Sequence, residues 1–166
     1  MRLSPASSLT TVPESMVLRI RPATAADCLP ILDWRNDVQA RAMSRNTAEI
    51  DSAGHEAWYA RALSDPARLL LIGETEDGPV AMIRFDHLQA GRWEVSIVLA
   101  APARGRGQSK LLLKMALDHF ASQHAAKTIV ARIKPENTAS LRLFAALGFQ
   151  ASKSEDGMFL YLLPMN

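Results

Sequence analysis

The sequence predicts a single mixed α/β domain: a mostly antiparallel central sheet flanked by four to five helices. Three observations lead there. Residues 68–99 hold three successive strand-like runs separated by short turn signals, the pattern of an antiparallel meander. Residues 107–163 then read helix, strand, helix, strand, the order of a crossover unit. Between residues 17 and 163 nothing repeats and nothing reads as a linker, so one domain over 17–166 accounts for the patterned chain.

Met1–Ser15 (MRLSPASSLTTVPES) is rich in small hydroxyl residues, and Pro5, Ser7 and Ser8 interrupt any apolar stretch a signal peptide would need. Residues 1–16 are therefore expected to be a disordered, non-secretory extension. Val17–Arg21 alternates apolar and polar residues and meets Pro22, which suits a first strand. Thr24 with Asp27 reads as a capping box opening a helix through Trp34, and a second helical patch follows from Asn36 to Met43. A third helix is expected over Ser52–Leu63, with Trp58, Ala62 and Leu63 on one face and a stop before Asp65-Pro66. Arg68–Glu74 and Val80–Phe85 are strands around the hairpin signal Asp77-Gly78. Arg92–Leu99 is a strand with Trp93, Val95, Ile97 and Leu99 on one face and Glu94 and Ser96 on the other. A helix from Gly107 to Ser122, a strand over Thr128–Ile133, a helix over Thr138–Leu147 stopped by Gly148 and a strand over Met158–Leu163 complete the chain.

Composition narrows the function. Of 166 residues 48% are apolar and 22% charged, ordinary values for a globule with one sizeable core. No apolar run approaches the roughly 18 residues of a membrane helix, so no membrane partner is expected. Lys and Arg number 19 against 17 Asp and Glu, a net charge of +2, and no basic-aromatic patch points to nucleic acid. The single cysteine, Cys28, allows neither a disulfide framework nor a thiolate metal site. It reads as a buried, inert thiol in a reducing cytoplasm, and no metal is expected.

The segment with most chemistry is the strand Arg92–Leu99 followed by Arg104-Gly105-Arg106-Gly107-Gln108-Ser109 and a helix start. Unpaired amides at the positive end of a helix make an anion site that suits a diphosphate. Gly105 and Gly107 let the backbone turn tightly, and Arg104 and Arg106 add charge. On these residues alone a plain strand-to-helix connection with surface arginines fits equally well. The nucleotide motif GxxxxGK[ST] is absent, and the dinucleotide fingerprint lacks its third glycine.

A second motif, Asn137-Thr138-Ala139-Ser140 leading through Phe144 to Leu147-Gly148-Phe149, joins the first in order and spacing. Together they resemble the GNAT N-acetyltransferase superfamily across residues 17–163. Its phosphate loop, Gln/Arg-x-x-Gly-x-Gly/Ala, is matched by Arg104 and Gly107, with Ser109 departing at the last position. Asn137, Ser140, Leu147, Gly148 and Phe149 match the second motif. The resemblance implies a sheet splayed after its fourth strand and acetyl-CoA as co-substrate. The pyrophosphate would lie on Arg104, Gly105, Arg106, Gly107, Gln108 and Ser109, and the pantetheine arm beside Ile97, Val98 and Leu99. Asn137, Ser140 and Phe144 would contact that arm from the other side. The strands from residues 92 and 128 would then separate after Leu99 to leave backbone for the arm. The resemblance also allows a homodimer.

Acetyl transfer to an amine needs a neutral amine, a donor for the negative charge growing on the thioester oxygen, and a fate for the thiolate. Glu94 is the candidate base, and a backbone N–H near Val98 or Leu99 is the candidate oxyanion donor. A strand glutamate also fits a solvated face. Where the superfamily carries a tyrosine acid this chain has Phe144, which donates no proton, and Tyr161 is a substitute to weigh.

The acceptor is read from the early helices. Trp34-Arg35-Asn36, then His55 and Trp58, offer guanidinium, amide, imidazole and aromatic groups for a phosphate and a sugar or base. Each of them also fits an ordinary amphipathic helix, and His55 a helix cap. The block resembles the subgroup that acetylates nucleotide-linked aminosugars on routes to pseudaminic-acid and related sugars. That resemblance implies a nucleotide sugar as the acceptor amine. The alternatives are a protein N-terminus, a polyamine or another small amine, and a non-catalytic acyl-CoA-binding module, which Phe144 alone favours.

Overall fold

The computed structural model describes residues 16–166, so the expected disorder of the N-terminal extension, apart from Met16, lies outside the described residues. The chain runs β1 (Arg19–Pro22), a 3₁₀ turn (Ala25–Asp27), α1 (Cys28–Asn36), α2 (Val38–Met43), α3 (Ser52–Ser64), β2 (Arg68–Thr75), β3 (Gly78–His87) and β4 (Arg92–Leu99). It continues with α4 (Ser109–Gln123), β5 (Thr128–Ile133), α5 (Thr138–Ala146), β6 (Gln150–Ala151) and β7 (Phe159–Pro164). The strands form one seven-stranded sheet in the order β1-β2-β3-β4-β5-β7-β6. All neighbours are antiparallel except β4 and β5, which the α4 crossover joins in parallel. A mixed α/β domain with five helices is therefore what the alternating runs produce.

Strand alternation sorts the side chains onto two faces. Ala81, Ile83 and Phe85 of β3, Trp93 and Val95 of β4, and Ile129, Ala131 and Ile133 of β5 meet α4 and α5 in the main core. Leu70, Ile72 and Met82 point the other way and meet Ile31 of α1 with Tyr59 and Ala62 of α3 in a smaller core. Beyond this smaller core the same sheet face turns polar, carrying Arg84, Asp86, Glu94 and Ser96. A cavity lined by Arg84, Glu94 and Ser96 opens on this face.

Several elements differ from the sequence reading. α3 buries His55, Tyr59 and Ala62, one helical stripe at i, i+4 and i+7, while Leu63 is 39% exposed and Trp58 half-buried. Helix phase puts Tyr59, not Trp58 or Leu63, on the stripe with Ala62. β6 spans two residues and has no propensity signal of its own; it exists because β7 offers it an edge. α4 begins at Ser109, not Gly107, and β1 is displaced to Arg19–Pro22. The divergence of β4 from β5 also starts earlier than expected. Their pairing ends at Glu94↔Val130, five residues before Leu99.

The start of the domain is tied by one buried carboxylate. Asp27 is 3% exposed, accepts from Arg21 Nη1 and Nη2 at 2.8 Å each, and accepts from the Thr24 backbone N–H at 2.8 Å. This is the capping box expected from Thr24 and Asp27. Arg21 also reaches Glu74 at 3.0 Å, so β1, β2 and the α1 entry share one network. The Arg21 bonds, opposed by burial and helped by the Thr24 amide, hold the Asp27 carboxyl below its ordinary value. Replacing it with Asn should lower stability by about 2 kcal/mol at pH 7. Because the native carboxyl is depressed, its contribution is full above the unfolded value of about 3.9 and is lost as pH falls through the native one. Urea melts of wild type and Asp27→Asn should accordingly converge as the pH is taken below about 4.

Candidate active site

The site follows from the short contact between β4 and β5. They pair from Arg92↔Thr128 to Glu94↔Val130, and past that point the β5-facing edge of residues 95–99 has no strand against it. Two cavities open along the gap, about 340 Å³ toward the Arg104–Ser109 loop and about 370 Å³ toward Glu94. α2 residues Ala40 and Met43, with Ile97, Val98, Asn137 and Ser140, line both.

The first cavity has the features of an anion cradle beside a free strand edge. Gly105 and Gly107 both sit at φ +72°, left-handed backbone that costs other residues about 1–2 kcal/mol. A Cβ on either would meet nothing within 4 Å, so the space above the turn is open to a ligand. α4 starts behind Gln108 with no side-chain cap, leaving its first amides without a side-chain acceptor. Such amides, at the positive end of a fifteen-residue helix, attract phosphate. A diphosphate-bearing co-substrate with an extended amide arm fits these residues: the turn takes the charge and the free edge takes the arm.

Of the expected cofactor residues, Ile97, Val98, Leu99, Arg104, Gly105, Gly107, Gln108, Ser109, Asn137 and Ser140 all line this cavity. Arg106 is exposed and lines neither cavity, while Phe144 lines the neighbouring one. Arg104 does not point along its own loop. It pairs with Asp37, the α2 N-cap, at 2.8 Å and donates to the Leu99 carbonyl at 3.3 Å. Asn137 Oδ1 accepts from the Ser140 backbone N–H at 3.2 Å and starts α5.

The second cavity is lined by four arginines, Arg35, Arg45, Arg84 and Arg132, against one carboxylate, Glu94. Glu94 pairs with Arg132 through Oε2 and lies 4.0 Å from Arg45 through Oε1. Arg132 also reaches Glu155 at 3.4 Å. Arg84 pairs with Asp86 at 2.8 Å, and Arg68 shares that carboxylate at 3.2 Å. The guanidinium carbons of Arg35, Arg68 and Arg84 lie 5.1, 5.6 and 5.6 Å from the centre of the Trp58 ring. Burial, and then the neighbouring Arg84, lower the Arg35 pKa, with Asp86 opposing.

The structure separates the five expected acceptor residues. Arg35 lines the cavity. Asn36 does not; its amide donates to the Ile50 carbonyl and accepts from the Ile50 N–H, both at 2.8 Å, clamping the segment that walls the cavity. His55 is 1% exposed, packs in the smaller core region and has Nε2 bonded to the Cys28 carbonyl at 2.8 Å, and it does not line the cavity. Trp34 packs half-buried beside the smaller core. Trp58 does not line the cavity and has three guanidiniums around its ring. Cys28 is free and half-buried, short of the full burial expected, and its thiol is pushed up by burial and then by Glu56.

Arg45, Arg84 and Arg132 were missed. Arg84 and Arg132 interrupt apolar strands in phase with Glu94, a signal visible once strand pairing is known. Arg45 lies between α2 and α3 and carries no such signal. Phe144, 3% exposed, packs edge-on to Phe149. Tyr161 packs against the main core and lines neither cavity, so it is no substitute acid. Tyr59 donates to the Thr24 carbonyl at 2.6 Å, and burial pushes its hydroxyl well above the ordinary range.

Comparison with known proteins agrees with this geometry. Residues 18–150 match the family described as acetyltransferase (GNAT) domain. A domain from Methanocaldococcus jannaschii shares 20% identity and a TM-score of 0.79, over 91% of this chain and 100% of that one. The putative acetyltransferase yncA from Salmonella typhimurium, solved with its cofactor acetyl-CoA, shares 26% identity and a TM-score of 0.75, over 90% and 95%. Spermidine N-acetyltransferase from Vibrio cholerae, solved with CoA and spermine, shares 16% and 0.77, over 87% and 92%. No curated protein sequence is significantly similar. Matched across both motifs and the splayed sheet, the chain belongs to the GNAT acetyltransferase family and is an acetyl-CoA-dependent enzyme.

Proposed function

We propose that the chain transfers the acetyl group of acetyl-CoA to a primary amine on an anionic molecule, specifically the amino group of a nucleotide-linked aminosugar. The observation that carries this reading is the second cavity, with four arginines lining it against one glutamate. Guanidiniums in a concave, partly desolvated site favour phosphate-bearing ligands and oppose cationic ones. A polyamine, the ligand of the Vibrio cholerae neighbour, would bring several positive charges to these arginines, and the pocket supports it poorly.

Acetyl-CoA supplies the acyl group already activated as a thioester. In the proposed arrangement the amides of residues 104–109 hold the pyrophosphate, and the free edge at Ile97, Val98 and Leu99 aligns the arm. A backbone N–H near Val98 or Leu99 donates to the thioester oxygen as charge gathers on it. Among the described residues Glu94 is the only acidic one lining the second cavity, and in this reading it takes the proton that an ammonium must lose before it can attack. The looser of its two arginine contacts, Arg45 at 4.0 Å, is the one an incoming amine displaces. Phe144 protonates nothing. A thiol with an ordinary pKa of about 8.5 leaves as thiolate without an acid, so the missing tyrosine does not argue for a silent binding module.

The test is thiol release from acetyl-CoA against UDP-4-amino sugars, peptide N-termini, polyamines and aminoglycosides. Turnover confined to the nucleotide sugars is expected; turnover with peptides or polyamines alone overturns the acceptor assignment. Glu94→Gln should lower kcat/KM by roughly 10²–10⁴-fold while calorimetry shows acetyl-CoA affinity unchanged. Gly107→Val should weaken acetyl-CoA binding at least tenfold by filling the open space over the turn. Its effect on the fold should stay near the 1–2 kcal/mol of a left-handed β-branched residue, read as a small loss in Tm without ligand.

A further inference from the structure

We propose that Arg35 is the docking point for a phosphate group of the acceptor, held ready by Trp58. The inference rests on reading the second cavity as the acceptor pocket, and it comes from the charges around that cavity taken pair by pair. Arg45 and Arg132 face Glu94, and Arg132 also faces Glu155. Arg84 faces Asp86, while Arg68 faces Asp86 at 3.2 Å and Asp65 at 3.7 Å. Each of those arginines has a carboxylate within ion-pair distance, although Arg84 Nε makes no hydrogen bond. Among the described residues Arg35 has neither an ion pair nor a side-chain hydrogen bond, yet it is half-buried and lines the cavity.

The Arg35 guanidinium carries five N–H donors in a fixed plane, and no protein acceptor among the described residues takes any of them, so they are left to solvent or to a ligand in the cavity. Two further guanidiniums, Arg68 and Arg84, crowd the same indole ring. Trp58, 5.1 Å from the Arg35 guanidinium carbon, offers the attraction of its π-face but accepts none of the N–H bonds. The next residue, Asn36, is bonded at both ends of its amide to Ile50, so the end of α1 that carries Arg35 is anchored. A guanidinium lying over an indole ring on anchored backbone, with no protein acceptor for its donors, is placed to take a planar or tetrahedral oxyanion. Burial first, and then the neighbouring Arg84, depress the Arg35 pKa, and a phosphate placed there would offset both. Arg35 and Glu94 line one cavity, so a ligand held at Arg35 by its phosphate can place an amine toward Glu94.

The test uses protein saturated with acetyl-CoA, so that the phosphate loop is not available to the probe. UDP is titrated by calorimetry against wild type, Arg35→Gln, Arg35→Lys and the exposed control Arg61→Gln. UDP should bind wild type and Arg61→Gln alike, at least tenfold weaker to Arg35→Gln, and with intermediate strength to Arg35→Lys; uridine should not compete. With the acceptor found by the panel above, Arg35→Gln should raise its KM at least tenfold and change kcat less than twofold. Equal UDP affinity in wild type and Arg35→Gln overturns the proposal, as does failure of wild type to bind UDP. An equal response to uridine and UDP also overturns it, because recognition would then lie with the base. The two readings fail separately. UDP binding that depends on Arg35 without aminosugar turnover removes the aminosugar and keeps the subsite. Aminosugar turnover with an unchanged KM in Arg35→Gln keeps the function and removes Arg35.

Discussion

β4 and β5 share only three register pairs, and the rest of the site depends on how soon they part. Had the parallel ladder continued to Leu99, the backbone groups of Val95–Leu99 would be consumed inside the sheet. A strand edge in the middle of a domain is normally a liability, because unpaired amides and carbonyls cost free energy when buried. Here the edge borders two cavities, so water or a ligand can satisfy it. The glycine turn and the uncapped start of α4 stand at the far end of the same opening, placing an anion cradle in line with a free edge.

α2 is the hinge of the arrangement in the sense of packing. It is only six residues long, too short to be stable alone, and it is held from several sides. Asp37 caps its N-terminus by accepting from the Gln39 and Ala40 amides and also grips Arg104 of the phosphate loop. Lys134, just past β5, donates to the Ala42 carbonyl at 2.9 Å. The helix thereby spans the gap between β4 and β5 and forms a wall common to both cavities. Binding in one cavity cannot move this wall without changing the other.

The polar face of the sheet shows how a cation-rich pocket is made tolerable within a nearly neutral protein. Each carboxylate there serves arginines from different strands, Glu94 with Arg132 across the β4–β5 pair and Asp86 with Arg84 and Arg68 across β2 and β3. Trp58 screens three guanidiniums at once from the smaller core. What remains is Arg35, which lines the cavity without an ion pair among the described residues, an imbalance that the net charge of +2 does not reveal. Charge balance summed over a chain says little about charge in a pocket, because Coulomb interactions strengthen as water is excluded.

The sequence by itself determined the domain class, the strand–glycine turn–helix segment at 92–123 and the helix start at Asn137, because these are local. Alternation, glycine positions and helix starts act over a few residues and are readable in order. The same locality explains the near-correct bounds of β4, β5 and α5. Only the tertiary structure decided where β4 and β5 part, that β6 exists, and that His55 and Trp58 serve the core and a cation platform instead of the cavity. It also decided that Arg45, Arg84 and Arg132 converge on Glu94. These depend on which residues pack between sheet and helices and on register between strands far apart in the chain. A one-residue change of phase carries a strand side chain to the opposite face, so a string of polar residues in sequence does not say which of them share a pocket.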